Sequence, residues 1–267
     1  AGRSEEILGK ALKQNGKREF VFLATKVHHH MYVDDPNGGG ITRRHILYEV
    51  EQSLRRLDTD YIDLYQLHQP RTEAESDETI RALDDLVRSG KIRYFGTSSF
   101  PAWRLTEALN ISEKFLLNRL VSEQPQYNLV NRRIERELVH VAQAYDIAIL
   151  PWSPLAMGFL TGKYKRGEDA PDGTRFSTQI NWLRYMGDRA YDLLDEMYAM
   201  AEEKDCSVAQ LAIAWVVNQP AVTSTIIGPR TIEQLDDNLG ALDVEITDDD
   251  RKRLDQFSKP REHILEI

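Results

Sequence analysis

The chain has 267 residues, a formal net charge of −9, 41% hydrophobic residues and one cysteine, Cys206. That length supports one large core or two small ones; the charge argues against a nucleic-acid backbone as the main partner, while leaving room for a local basic pocket; and no apolar run approaches the roughly 18 residues a membrane-spanning helix needs. The lone cysteine excludes an internal disulfide and any multi-cysteine metal site, and without a secretory or transit segment the expected compartment is the cytoplasm.

In chain order, Ser4 with Glu5, Glu6, Ile7, Leu8 and Leu12 predicts a helix capped by Ser4. FVFLATKV is a predicted strand and ITRRHILYEVEQSLRRLD a helix with Thr42 near its start. The strand YIDLYQLH precedes the helix DETIRALDDLVRSG, which stops at Gly90 as a left-handed terminal glycine would stop it. IRYFGTSSF leads to a helix from Pro101, a favoured first-turn residue. RLVSEQPQY leads to IERELVHVAQAY, and AILPWSPL to a loop over roughly 156–186, rich in Gly, Pro, Asp and Lys, that is expected to cover something. Two helices, DRAYDLLDEMYAMAEEK and SVAQLAIAWVVNQ, precede the strand VTSTIIGP and the helix TIEQLDDNLGAL. A last helix starts at Thr247, where Asp248 to Asp250 suit the positive end of the helix dipole.

Strands alternating with helices imply an α/β fold with a parallel sheet. About six strands are present, with no composition break, so residues 1–267 are expected to belong to one domain. A doubly wound sheet would carry a glycine-rich phosphate turn, and no GxGxxG occurs. A (β/α)8 TIM barrel fits the even spacing but needs eight strands, so the expectation is that the first two, on the order of 50 to 70 residues, belong before Ala1. A natively short chain would instead leave two open sheet edges.

Residues at the C-terminal ends of barrel strands face the active site. Lys26 ends the first strand after an apolar run, and an unpaired buried lysine is costly; the alternative is that it has already reached solvent. His68 ends the second strand on the face of Ile62, Leu64 and Gln66, with Tyr65 pointing the other way toward helices. Its functional reading stands beside a structural one. Ser98, Ser99, Gln124, Trp152 and Ser153 are further polar or aromatic strand ends, a set that suits an organic ligand with a flat ring, although Trp152 alone would be read as core. Gly228, Pro229 and Arg230 lead into a helix start near Thr231, a favourable phosphate site. Lys163 to Arg166 and Arg175 are either solvated loop charge or a clamp for a second phosphate. The adjacent histidines 28–30 cannot easily converge on one ion, so no metal site is expected.

The stretches SEEILGKAL, ATKV, SLRRLDTDYIDLYQLHQP, LVRSGKIRYFGTSS, EQPQYNL, PWSPLAMGFLTGKY and IIGPRTIEQLDDNL, in this order over almost the whole chain, resemble the aldo-keto reductase family, in its branch related to the potassium-channel β subunits. The resemblance implies a barrel that binds extended NADPH and transfers hydride to a small-molecule carbonyl; on charge and hydropathy no nucleic-acid or membrane partner is expected, and a homo-oligomer is left open. It implies Lys26 as the catalytic lysine and His68 as the histidine orienting the carbonyl. Ser98, Ser99 and Gln124 would approach the nicotinamide carboxamide, although many relatives have asparagine at the position of Ser99. Trp152, Ser153, Pro154, Leu155 and Ala156 would line the cofactor, and Lys163 and Arg175 would hold phosphates. Gly228, Arg230, Gln234, Asp237 and Asn238 would receive the adenosine end, the arginine favouring NADP over NAD. The family's D-x-A-x-x-Y-G pattern does not occur in these 267 residues; matching Ala1 to Gly9 with its usual continuation places the proton-donating tyrosine about two residues before Ala1. Two functions are compatible with this set: a carbonyl reductase, or an NADPH-binding regulatory subunit with little turnover.

Overall fold

The structure, a computed structural model, describes residues 2–31, 34–70, 76–178 and 186–260. The chain divides into two compact units, Ala1–Gln124 with His140–Ala148, and Pro125–Val139 with Ile149–Ile267. The fold class is α/β with parallel strands, as the alternation predicts.

The first unit is built on four strands, β1 (Ala24–Val27), β2 (Ile62–Leu67), β3 (Ile92–Ser98) and β4 (Ser122–Gln124), paired in chain order and all parallel. Helices α1 (Arg3–Asn15), α2 (Arg43–Leu57), α3 (Ser76–Arg88) and α4 (Ala102–Phe115) alternate with them. Five of the six β2 residues are buried, the continuous burial of a parallel strand covered on both faces. Thr42 caps α2 by accepting from the His45 N–H, and α3 is followed by Gly90 at φ 76°. The start of α1 differs from expectation. Ser4 lies inside the helix, and the capping position is Gly2 at φ 81°, where a Cβ would stand 2.5 Å from Cδ of Arg56. Left-handed backbone and close approach both call for glycine here.

The first strand is also shorter than its apolar run. Arg18 donates to the carbonyls of Val21 and Tyr61, and Arg18–Phe20 form a 3-10 turn. The chain joins the sheet only at Leu23, whose carbonyl accepts from Asp63 and Leu64. Phe20 and Phe22 are therefore exposed, Phe22 stacking on Tyr94 at 6.2 Å.

Along the chain, α5 (Leu138–Tyr145) and β5 (Ala148–Ile149) lie at the boundary between the segments of the two units; within the first unit, Ala148 donates to the Val121 carbonyl. The second unit contains α6 (Arg175–Thr178), α7 (Asp188–Glu203), α8 (Val208–Val217), α9 (Ile232–Leu239) and α10 (Asp248–Ser258). Its core gathers Tyr127, Phe159, Leu194, Met197, Met200 and Trp215. Capping boxes start α8 at Ser207 with Gln210, and α10 at Thr247 with Asp250. The predicted strand VTSTIIGP is reduced to single bridges, Val222 with Ile149 and Ile226 with Trp152. Pro151 accepts from the Ile226 N–H but has none to return, so no continuous ladder can form. The long loop opens with a 3-10 run, Ala156–Thr161, and carries α6; its residues 179–185 lie outside the described residues. Among the described residues no helix is long and apolar enough to cross a membrane.

Candidate active site

Strand register in the first unit brings the predicted residues onto one sheet face. Lys26 is level with Gln66, and Gln66 with Gly96; His68 and Ser98 stand two residues further along, and Ser98 is level with Gln124. Side chains two apart, or level on neighbouring parallel strands, share a face. Lys26, Gln66, His68, Ser98 and Gln124 thus form one polar strip at the C-terminal ends of the strands. Tyr65 points away from it, as its parity predicts, and is fully buried beside Glu5, Glu49 and Arg56.

Lys26 and His68 line one pocket of about 450 Å³, with His28, His29, Met31 and His45. Burial lowers the Lys26 ammonium pKa, and no carboxylate among the described residues pairs with it. His68 is pushed down to about 4, first by burial and then by Lys26, His29 and His28. Its ring meets His29 edge-on at 4.6 Å. Neutral at pH 7, His68 can offer an N–H to a ligand oxygen without carrying charge.

Two buried amides complete the strip. Gln124 Nε2 donates to Gln66 Oε1 at 3.0 Å, and Gln66 Nε2 donates to the Thr97 carbonyl at 3.3 Å. Gln124 Oε1 is thereby oriented as an acceptor. Ser98 Oγ donates to the Gln124 carbonyl at 2.9 Å, leaving its lone pairs to accept. Ser99 follows at φ 60°, exposed, with its N–H on the Gln124 carbonyl at 3.2 Å.

The second unit holds a separate cleft of about 710 Å³. Trp152 stands half-buried in its wall, bridged on one side to Gln126 and on the other to Ile226. Ser153, at φ 59°, accepts from the Met157 N–H through Oγ, while its carbonyl takes the amide of Asn128. Pro154, Leu155, Lys163, Arg175, Gly228, Arg230, Gln234, Asp237 and Asn238 all line this cleft; Ala156 is buried and does not. Thr231 caps α9, and Gln234 Oε1 accepts from the Arg230 N–H at 2.9 Å. Asp237 Oδ2 accepts from Ser207 Oγ at 3.3 Å.

Charge is distributed unevenly in this unit. Arg132, Arg166 and Arg253 are each tied to two or more carboxylates. Lys163 and Arg230 form no ion pair among the described residues, although both open onto the cleft of an acidic chain. Gly228 beside them meets nothing within 4 Å of where a Cβ would stand. Two unspent cations, a helix start and a flat aromatic wall fit a phosphorylated ligand with a ring.

Several residues of the strip and the cleft were not singled out as site residues from sequence. Gln66 satisfies the same parity rule as His68 and was legible by it. Met157, Thr161, Ser207 and Ile227 carry no signal of their own, because only the turn geometry and the meeting of α8 with α9 bring them to the cleft. Among the described residues no group of three or more His, Cys, Asp or Glu side chains is placed to hold a metal ion.

Residues 1–259 match the profile of the Aldo/keto reductase family. A protein of Oryza sativa subsp. japonica named "Probable voltage-gated potassium channel subunit beta" is 36% identical over 249 residues, covering 91% of this chain and 75% of that protein. One of the same name in Arabidopsis thaliana is 35% identical over 249 residues, covering 91% and 75%. An uncharacterized oxidoreductase of Bacillus subtilis is 38% identical over 252 residues, covering 92% and 74%.

Proposed function

The chain belongs to the aldo/keto reductase family, whose fold is the (β/α)8 barrel, and from that premise we propose that it is an NADPH-dependent oxidoreductase reducing an aldehyde or ketone to an alcohol. The observation that carries the enzymatic reading is the polar strip of the first unit, where a desolvated lysine and a neutral histidine share a pocket at the strand ends. The cofactor reading is supported by the cleft of the second unit, where Lys163 and Arg230 form no ion pair among the described residues.

NADPH, when bound, supplies hydride to the carbonyl carbon. Negative charge then grows on the carbonyl oxygen and must be stabilised and protonated. His68 donates an N–H to that oxygen and fixes its direction. Lys26 supplies positive charge in a desolvated setting, where it would support a tyrosine acid standing beside it. A phenol near its ordinary pKa of about 10 is a poor acid at neutral pH, and a neighbouring ammonium favours the phenolate it must become. Gln124 and Ser98 present acceptors, and Gln66 holds Gln124 in that orientation, which suits the N–H groups of a nicotinamide carboxamide. Arg230 and Lys163 would take the 2′-phosphate and the bridging phosphates, with Arg175, and Trp152 would pack on the cofactor's flat ring.

The test is NADPH oxidation by the intact protein with a panel of small aldehydes. Turnover is expected, and Lys26→Met should lower kcat by about 100-fold or more while NADPH still binds. Normal turnover in Lys26→Met would refute the assignment. A second reading, an NADPH-binding regulatory subunit with little turnover, draws on the names of the rice and Arabidopsis relatives; tight NADPH binding with no turnover on any aldehyde would select it.

A further inference from the structure

Behind the polar strip, on the opposite face of the sheet, β4 carries a glutamate with no exposed surface. Glu123 is level with Thr97 and has no cation beside it among the described residues. Its partners are all neutral. Thr97 Oγ1 donates to Oε2, Oε1 accepts from the Phe100 N–H at 3.1 Å, and the Ser99 N–H also faces the carboxylate. These contacts span the turn by which the chain leaves β3. At that turn Ser99 stands at φ 60°, a conformation costly for any residue but glycine unless its surroundings fix it. Ser98 and Ser99 are bound from the front by the Gln124 carbonyl, while the residues on either side of them, Thr97 and Phe100, are bound from behind by the Glu123 carboxyl.

We propose that Glu123 is a positioning residue for the nicotinamide carboxamide: through Thr97, Ser99 and Phe100 it holds the β3 exit in the strained form that presents Ser98, Ser99 and Gln124 together. This rests on the reading of the chain as an NADPH enzyme and extends it to a residue on the far side of the sheet, out of reach of ligand on the polar strip. A merely space-filling residue would not be a carboxyl. Burying one without a cation is costly, and the pKa is accordingly pushed up to about 8 by burial, against the opposing pull of the three donors.

The neutral acid keeps the same contacts. Thr97 Oγ1 also lies 3.5 Å from the Ser122 carbonyl, so its proton can turn there while protonated Oε2 donates to Thr97. Oε1 accepts from Phe100 in either state. A glutamine reproduces this pattern, its Nε2 donating to Thr97 and its Oε1 accepting from Phe100, whereas alanine abolishes it.

The experiment measures binding, not turnover. Dissociation constants for NADPH and for adenosine 2′,5′-bisphosphate, which lacks the nicotinamide, are determined for wild type, Glu123→Ala and Glu123→Gln, with amide exchange of Ser99 and Phe100 followed alongside. Glu123→Ala should weaken NADPH about tenfold, leave the bisphosphate unchanged and speed exchange at both amides. Glu123→Gln should bind both ligands within about threefold of wild type at pH 7, with both amides protected. Unchanged NADPH binding in Glu123→Ala overturns the proposal. Equal loss of both ligands in Glu123→Ala overturns it too, because it marks a general loss of structure, and so does a Glu123→Gln protein that behaves like the alanine variant. A wild type that binds the bisphosphate but not NADPH, or neither, removes the NADPH reading itself, and this inference falls with it.

Discussion

The polar strip of the first unit and the cleft of the second hold functional groups in opposite ways. On the strip the neutral polar groups are already bound to one another, Gln66 to Gln124 and Ser98 to the Gln124 backbone, and behind it Thr97 is bound to Glu123. Lys26, which no carboxylate among the described residues pairs with, stands on a strand and is desolvated. In the cleft the groups that matter, Lys163 and Arg230, sit on connecting segments, exposed and unpaired among the described residues. The first arrangement is pre-organised and tolerates little displacement, as suits groups that must meet a reacting atom. The second is completed by whatever anion it receives, as suits groups that contribute affinity. Salt separates the two. Exposed charges are screened over roughly 8 Å at physiological ionic strength, while buried hydrogen bonds are not.

The largest effect that sharpens this contrast is expected at Arg230. Arg230→Ala should weaken NADPH by about tenfold or more at low salt and NADH hardly at all, with the difference shrinking as salt is added. Affinities for both dinucleotides at two ionic strengths check this. Equal losses for NADPH and NADH would show that the cleft does not read the extra phosphate, and a loss insensitive to salt would erase the distinction between the regions.

How far each region was legible follows from the same difference. Strand parity is strict, so Lys26, His68 and the outward turn of Tyr65 could be placed from sequence alone. Gln66 obeyed the same rule but looked like an ordinary strand residue until its amide was seen on Gln124. Glu123 was passed over because its parity turns it from the polar strip; the link back through Thr97 and Phe100 is a non-local contact with no local pattern. In the cleft, Trp152, Arg230 and Lys163 could be singled out from sequence as a strand end, a helix start and loop charge, whereas Pro154, Leu155, Gln234, Asp237 and Asn238 were legible only through family resemblance, since loops have no period. Errors in the elements have equally specific causes. FVFL reads as strand by apolarity, and Arg18 holds it off the sheet from a distance. VTSTIIGP reads as strand by β-propensity, and the proline at 151 denies it a ladder. Ser4 is a good cap by type, but the backbone turns two residues earlier, at Gly2, where a side chain would meet Arg56.

A smaller effect is expected from pH on the strip. His68 titrates near 4 in the folded protein against 6.5 unfolded. Its folded value is lowered, so the stability it contributes is full above pH 6.5 and is lost as pH falls through 6.5 toward 4, where the unfolded chain takes the proton first. The acid limb of kcat/KM should therefore lie near pH 4 to 5 and leave activity intact at pH 6. An inflection at 6.5 would mean that His68 is solvated like a free imidazole. In Lys26→Met the His68 titration, followed by NMR, should rise yet stay below 6.5, because burial outweighs the lysine charge.

The smallest effect concerns stability and breaks the comparison at its most buried point. Glu123 titrates near 8 when folded and near 4.5 when unfolded. Its folded value is raised, so its contribution is fully present below pH 4.5 and is lost as pH rises from 4.5 through 8, where the unfolded chain has released a proton that the native state still holds. Glu123→Gln does not ionise and escapes this loss. The variant should melt within about a degree of wild type at pH 4.5 and a few degrees above it at pH 9, the gap opening between those values and then staying constant. A gap that is already full at pH 4.5 would indicate repacking, not titration. A wild type that gains on the variant at high pH would mean that the donors on Thr97, Ser99 and Phe100 outweigh desolvation, so that the carboxylate itself stabilises the turn. Either result separates the energetic cost of this buried carboxyl from its service to the strip, because the melting gap reads the titration while the binding of NADPH reads the positioning.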